Sequence, residues 1–424
     1  MTKRGVIGLT REERPAFLAT FFGWGLDGFD YMIYTLVIVS LLKAFHLSTA
    51  QGGIIGSTTL FVSALGGIIA GTVSDKIGRV KTLAFAIIVY SVFTALSGLA
   101  TSYGELLVFR AFEGLGFGGE WAVGAVLIAE TVSSEKRGKV LGFVQGSWAL
   151  GWGLAVILSL VLTSILPANL VWRLMFIFGL LPAILVVFVL KKVKEPDAWK
   201  KALSKEEAHQ GISFWKIFQN GLLRRTVFAS LLAVGVQSGY YAIFTWLPTY
   251  LKTARHLSIV GSGGYLFVII AGSFLGYVLS GYINDWIGRK ATFALYSIFS
   301  GLIVLLYTHF QISNSLMLVL SFPLGFFASG IFSGFGPFLA ELFPTEARGA
   351  GQGFVYNFGR GIAAFAPAAV GFLAQKYGLA GGISIFGPAA YVLCLIALFF
   401  LPETKGTELS PSETVSSRGN DFSA

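Results

Sequence analysis

The chain is built from long apolar runs separated by short polar connections. Runs long enough to cross a hydrocarbon core, about 20 residues each, fall at 17–42, 51–73, 82–101, 104–130, 138–166 and 172–190. Six more follow at 226–250, 261–284, 291–310, 314–341, 350–374 and 381–401. A charged and polar stretch, 192–223, divides the two sets, and the chain after Pro402 is polar and Ser-rich, a composition that does not bury a core. The pattern predicts an all-α membrane protein with twelve transmembrane helices. It divides into an N-terminal six-helix bundle (1–191), a central cytoplasmic loop (192–223), a C-terminal six-helix bundle (224–402) and a cytoplasmic tail (403–424).

Composition agrees. The 424 residues are 55% apolar and only 12% charged, with mean hydropathy +0.74, against about 25% charged in a soluble domain. A lipid bilayer is the expected solvent. The net charge of +10 raises the question of nucleic acid, and the positions of the charges answer it. With twelve spans both termini share a side, and the loops there hold most of the 31 lysines and arginines. The other side holds only Lys43, Arg173, Lys252, Arg255 and Lys376. That bias places both termini in the cytoplasm of a cell inner membrane and accounts for the basic charge without nucleic acid. The charged stretch from Lys3 to Arg14 lacks the short apolar core and small-residue cleavage site of a signal peptide, so the first span is expected to be retained.

Catalytic and metal-binding motifs find little support. The single cysteine, Cys394, has no intrachain disulfide partner. His46, His209, His256 and His309 are scattered, so no metal site is expected. Gly114-Leu-Gly116-Phe-Gly118-Gly119 satisfies G-x-G-x-x-G, but no strand precedes it, and the dinucleotide reading fails. No Walker A sequence and no nucleophile–base pair emerge. No cofactor is expected, and the chain does not read as an enzyme.

An internal repeat is present. Gly71-Thr-Val-Ser-Asp75-Lys-Ile-Gly78-Arg79 recurs 210 residues on as Gly281-Tyr-Ile-Asn-Asp285-Trp-Ile-Gly288-Arg289. Glu130 with Arg137 recurs 211 residues on as Glu341 with Arg348. These motifs, with Arg110 leading R-x-x-x-G-x-G through Gly114 and Gly116, resemble the signatures of the major facilitator superfamily. The resemblance implies the major facilitator fold: two parallel-repeat six-helix bundles with a substrate site between them near the midplane. Leu26-Asp27-Gly28-Phe29-Asp30, Gly118-Gly119-Glu120 and Glu195-Pro-Asp-Ala-Trp199 are most similar to the sialate/monocarboxylate:proton symporters. The aromatic-acid:proton symporters are close neighbours.

Positions that differ between the halves are candidates for function. At offset 211, Asp27 aligns with Ser238, Asp30 with Tyr241, Arg110 with Ser321 and Glu120 with Ile331. In the fifth span the asymmetry reverses, with Gly146 facing Asn357 and Ala149 facing Arg360. A charge at the bilayer centre costs about 2.5–3.5 kcal/mol, so each such residue is a functional candidate. Asp27, Asp30 and Glu120 are the expected proton site with Arg110 tuning it, and Glu113 reads as structural. The competing reading is a fully paired ion network. Arg360 lacks an acid within its own span and suits the carboxylate of an anionic substrate; the alternative is a pair with Glu120. Asn357, Gln237, Tyr240, Tyr241 and Trp246 are expected to line the cavity with it. Asp75, Gly78, Arg79, Glu130, Arg137, Asp285, Gly288, Arg289, Glu341 and Arg348 are expected to form cytoplasmic gates that latch the halves and break on inward opening. Gly138, Gly142 and Gly146 mark an expected close helix contact.

The sequence therefore predicts a proton-coupled symporter of a small organic anion, monocarboxylate or sialate-like, functional as a monomer and working by alternating access. An uncoupled facilitator or exchanger, an aromatic-acid or sugar carrier, and a non-transporting membrane sensor are the rival readings.

Overall fold

The structure, a computed structural model, describes residues 8–197, 199–200, 214–219 and 221–406. Much of the expected central loop, and the tail beyond 406, lie outside these residues. The regular elements are helical. The first half holds α1 (Glu13–Ala44), α2 (Thr49–Ile77), α3 (Arg79–Ser97), α4 (Tyr103–Thr131), α5 (Ser134–Ile165), α6 (Ala168–Phe178) and α7 (Ala183–Lys192). The second holds α8 (Leu222–Thr253), α9 (Ile259–Ile287), α10 (Arg289–Thr308), α11 (Asn314–Gly330), α12 (Phe335–Leu342), α13 (Thr345–Ala363) and α14 (Ala366–Phe399). Eleven segments among the described residues are long and apolar enough to cross a membrane. The last of them, Ala347–Phe399, runs for 53 residues and is broken at Gly378, whose φ of 71° no helix accommodates.

Helix starts and stops follow local chemistry, and they recur between the halves. On the side away from the termini, Ser48, Ser102, Ser258 and Ser313 cap α2, α4, α9 and α11, each accepting from a backbone N–H three residues on. His46 and His256, just before two of those caps, both adopt a left-handed backbone. On the other side carboxylates do the capping. Glu195 accepts from Arg79 N (2.7 Å) and Val80 N (3.0 Å) at the start of α3. Glu403 accepts from Arg289 N (2.9 Å) and Lys290 N (3.0 Å) at the start of α10. An anion there meets both free N–H groups and the positive end of the helix dipole.

Close packing within each half uses glycine where backbones touch. A Cβ on Gly118 or Gly114 of α4 would run into the backbone of Ser63 or Thr59 of α2. Gly151 of α5 lies against Gly25 of α1. The expected Gly138–Gly146 contact is redistributed: Gly146 meets Phe274 of α9, Gly142 faces open space, and the Gly138 side lies outside the described residues.

Between the halves, two antiparallel seams set the shape. Along α5 and α9, Leu160 meets Gly263, Gly153 meets Ile270, and Gly146 meets Phe274. One turn further, Gly142 and Gly281 each face open space. Along α2 and the α13–α14 pair, Thr49 donates to Gly371 O (2.9 Å), Ala368 N donates to Ser57 Oγ (3.1 Å), and Gly67 packs by Asn357. One turn further, Gly71 and Gly353 both face open space. Both seams are shut on the side away from the termini and splayed on the side that carries them.

Candidate functional site

Six ionisable side chains meet near the middle of the bundle, and every one is at most 1% exposed: Asp27, Asp30, Arg110, Glu113, Glu120 and Arg360. α1 supplies the two aspartates. α4 supplies Arg110, Glu113 and Glu120, which share one face at spacings of three and seven. α1 can come this close because Gly23 leaves room for the Glu120 carboxylate, where a Cβ would collide with Oε1.

The cluster has two lobes. In one, Arg110 Nη2 lies 3.4 Å from Glu113 Oε2, and its guanidinium stands over the rings of Tyr34 (5.0 Å) and Phe176 (5.7 Å). Asp30 interacts with both members of that pair and accepts from Thr94 Oγ1 at 2.6 Å. In the other lobe Asp27 lies against Glu120, with Tyr90 beside them and Arg360 as the interacting cation. Neither oxygen of Asp27 nor of Glu120 completes a hydrogen bond, nor does Asp30 Oδ1. Glu113, expected to be structural, is the carboxylate that Arg110 pairs with. Of the three acids of the expected proton site, Asp30 is the one that shares a lobe with Arg110.

Arg360 belongs to α13 and faces the first half. Its Cζ sits 4.6 Å from the Phe117 ring centre, Nε and Nη1 have no hydrogen-bond partner, and it makes no ion pair within 4.0 Å among the described residues. It opens onto a narrow cleft of about 20 Å³, room for about one water. Trp24 and Trp148 wall the cleft from the first half; Tyr240, Tyr241, Tyr277, Phe332 and Tyr356 wall it from the second. Gln145 is the remaining polar group. Trp148 Nε1 donates to Tyr240 Oη (2.9 Å) across the halves, and Tyr31 Oη meets Thr245 Oγ1 (3.0 Å). A guanidinium with free donors in an aromatic slot is chemically suited to a flat carboxylate, the donors to its oxygens and the rings to its faces.

Of the expected cavity residues, Arg360, Tyr240 and Tyr241 line this cleft. The other three are placed elsewhere by their own hydrogen bonds. Gln237 Nε2 donates to Tyr356 O (3.0 Å), Trp246 Nε1 donates to Pro367 O (3.0 Å) at the shut side, and Asn357 Nδ2 returns to Gly353 O (3.0 Å) on its own helix. Trp24, Gln145, Trp148, Tyr277, Phe332 and Tyr356 were not anticipated. One signal was available: Gln145 and Tyr356 occupy equivalent places at offset 211, one turn before Ala149 and Arg360.

The family model of the Major Facilitator Superfamily matches residues 20–313 and 266–420. The chain belongs to that superfamily. It is 38% identical over 93% of its length, and 92% of the relative's, to a probable 4-methylmuconolactone transporter of Cupriavidus pinatubonensis. It is 31% identical over 92% of its length, and 94% of the relative's, to a cis,cis-muconate transport protein of Acinetobacter baylyi. Among solved structures, the inward open conformation of the xylose transporter XylE from E. coli superposes with a TM-score of 0.74, covering 93% of this chain and 97% of that one at 19% identity, which speaks to the fold alone. The chain is thus a multi-pass membrane transporter of all-helical facilitator fold, and not an enzyme.

The superfamily's paired loop motifs form ion networks inside each half. Arg79 bonds Asp75 and, with two donors, Glu130 (2.9 and 3.2 Å). Arg289 bonds Asp285 (2.7 Å) and Glu341 (2.9 and 3.1 Å) in the same way. Gly78 and Gly288, with φ of 110° and 99°, turn the chain sharply enough for each arginine to reach back. Arg348 Nε donates to Ala340 O (2.9 Å), and the Arg137 side chain lies outside the described residues. Through the first residue of α3 these bonds join α2 to α4, and through the first residue of α10 they join α9 to α12. Among the described residues of this set, the bonds formed stay within one half.

Proposed function

We propose that the chain is a proton-coupled symporter of a small organic anion, built from twelve transmembrane spans in two parallel-repeat bundles and working by alternating access as a monomer. The break at Gly378 within the 53-residue last apolar segment supports reading it as two crossings, and so twelve spans in all. The lysine and arginine bias supports cytoplasmic termini in an inner membrane, and the splayed side then faces the cytoplasm.

The observation that carries the substrate class is Arg360: buried, without an ion pair, and set in aromatic walls. Those walls, with the Arg360 donors between them, suit the flat faces of an unsaturated or aromatic carboxylate. The names of the relatives, muconate and a muconolactone, point the same way. Proton coupling is supported by charge balance. Asp27, Asp30, Glu113 and Glu120 outnumber Arg110 and Arg360, and a buried net negative charge is costly unless protons are taken up. The expected proton site is Asp27, Asp30 and Glu120, with Arg110 acting on it through Asp30.

The test is uptake into proteoliposomes of muconate, benzoate, lactate, sialic acid and xylose, with and without an imposed pH gradient. Accumulation of a carboxylate that rises with the inward proton gradient is the expected result. Uptake indifferent to the gradient selects an uncoupled carrier, and uptake of xylose alone refutes the anion reading.

A further inference from the structure

A second cleft lies between the halves on the shut side. Measured along α5 and α8, it sits eleven residues beyond the first: Trp148 and Tyr241 line the central slot, Ser159 and Lys252 line this one. At 1.5 Å per residue the two are about 16 Å apart on the same axis. The second cleft has about 80 Å³ of space, enough for several waters. It closes towards α9 where Gly263 abuts Leu160.

Its walls are mostly apolar, Leu36, Val37, Val156, Leu160, Val171 and Leu266 among them, and the polar groups set into them are one lysine and four hydroxyls. Lys252 is half-buried in the wall and makes no ion pair among the described residues. Exposed Lys43 is close enough to act on it electrostatically. Ser40, Ser159, Thr163 and Ser262 stand around the same space. Ser262 is 8% exposed, and its Oγ has no hydrogen-bond partner. No acid balances the lysines: Glu105, the described carboxylate on this side, is occupied with Thr101 N (2.7 Å) and Oγ1 (2.9 Å). Of the other three basic residues on this side, Arg173 is bonded to the backbone oxygens of Gly98 and Ala100, Arg255 to Ile312 O, and Lys376 stands by the Tyr377 ring at 5.2 Å.

We propose that Lys252, with the hydroxyl of Ser262, forms a second carboxylate-binding site on the side away from the termini, which holds the anion before it passes to Arg360. The proposal rests on the anion-carrier reading. An uncompensated ammonium and an unpaired donor facing one space supply the charge and the hydrogen bond a carboxylate needs. The shared axis makes the site a way-station on the transport path.

The test uses the full chain in right-side-out and inverted membrane vesicles, with whichever of muconate, benzoate or lactate the wild type accumulates. Lys252→Gln raises the half-saturating concentration about fivefold for substrate offered on the side away from the termini. It leaves the opposite side within twofold and flattens the salt dependence of uptake on the affected side. Lys252→Arg restores the wild-type value, and Ser262→Ala gives a smaller shift with the same sidedness. Equal shifts on both sides, or none, overturn the site while leaving the anion-carrier reading intact. A wild type that carries no carboxylate at all overturns both.

Discussion

Arg360→Lys tests the substrate assignment most directly, because the substitution keeps the charge and removes the geometry. Nε and Nη1, on different edges of the guanidinium, are left without partners; a carboxylate bound by either of them together with Nη2 gains two parallel charge-assisted hydrogen bonds, each worth about 1.5–3 kcal/mol. Lysine can supply one of them. It also gives up the planar stack on Phe117, worth about 0.5–2 kcal/mol. The combined loss of about 2–5 kcal/mol corresponds to a roughly 30- to 4000-fold rise in Kd. The assay is quenching of tryptophan fluorescence in purified protein, since Trp24 and Trp148 stand in the cleft wall and report occupancy without a label. Thermal unfolding of the same sample separates lost binding from lost fold. A variant that melts like the wild type and binds with unchanged affinity would show that the arginine serves the fold, through its field on Asp27 and Glu120, and never touches substrate.

Asp27→Asn and Asp30→Asn are each expected to abolish stimulation of uptake by a pH gradient while substrate exchange at equal pH persists; retention of full proton flux in both removes them from the coupling path. Gly118→Ala places a methyl against the Ser63 backbone and should destabilise the bundle by about 1–3 kcal/mol, read as a lower melting temperature, with no such drop for Gly142→Ala, which faces open space. Burial pushes the Glu403 carboxyl up, but four backbone N–H bonds, from Lys405, Arg289, Lys290 and Thr404, outweigh it and hold the group below its ordinary value. Its contribution is therefore present above a pH of about 4.3 and fades as pH falls through the lower folded value. Wild type should lose protection of the 403–406 segment from proteolysis only in that acid range, and Glu403→Gln should lack it at every pH.

The spans were legible because the hydrocarbon core imposes one length and one polarity on all of them. The breaks within spans were not. α6 ends at Gly179 and α7 begins after Pro182, where the residues themselves are breakers, yet the 3₁₀ turn Ile331–Gly334 has no proline. That turn follows Gly330, which is packed against Ser280 and Tyr296, and it brings Phe332 to the cleft. Charged members of the site stood out because charge in an apolar run is rare. Aromatic members did not, because a tryptophan incurs no penalty for facing lipid, a neighbouring helix or a cavity. Trp24 and Trp246 illustrate this: both are buried, one in the cleft wall and one bonded to Pro367 on the shut side. Asn357 misled for a related reason. It lies three residues from Arg360, yet its side chain packs by Gly67 of α2 and bonds Gly353 O of its own helix.

The separation of the two chemistries within the site sets how coupling would work. In the proposed scheme the acids belong to α1 and α4 of the first half, the proposed anion ligand Arg360 belongs to α13 of the second, and Asp27 with Glu120 faces it across the division. While those acids are ionised, Arg360 is their counter-charge and is partly withdrawn from substrate. Once protonated, they release it. Anion binding and proton binding are thus linked through one guanidinium, and linkage requires each to favour the other by the same factor. A carrier wired this way needs no direct contact between proton and substrate. With Arg360 changed to glutamine it should be uncoupled: the acids lose their counter-charge and no longer respond to substrate. Such a protein should bind neither anion nor a second proton equivalent on adding muconate, whereas a structural arginine would leave proton uptake on substrate addition intact.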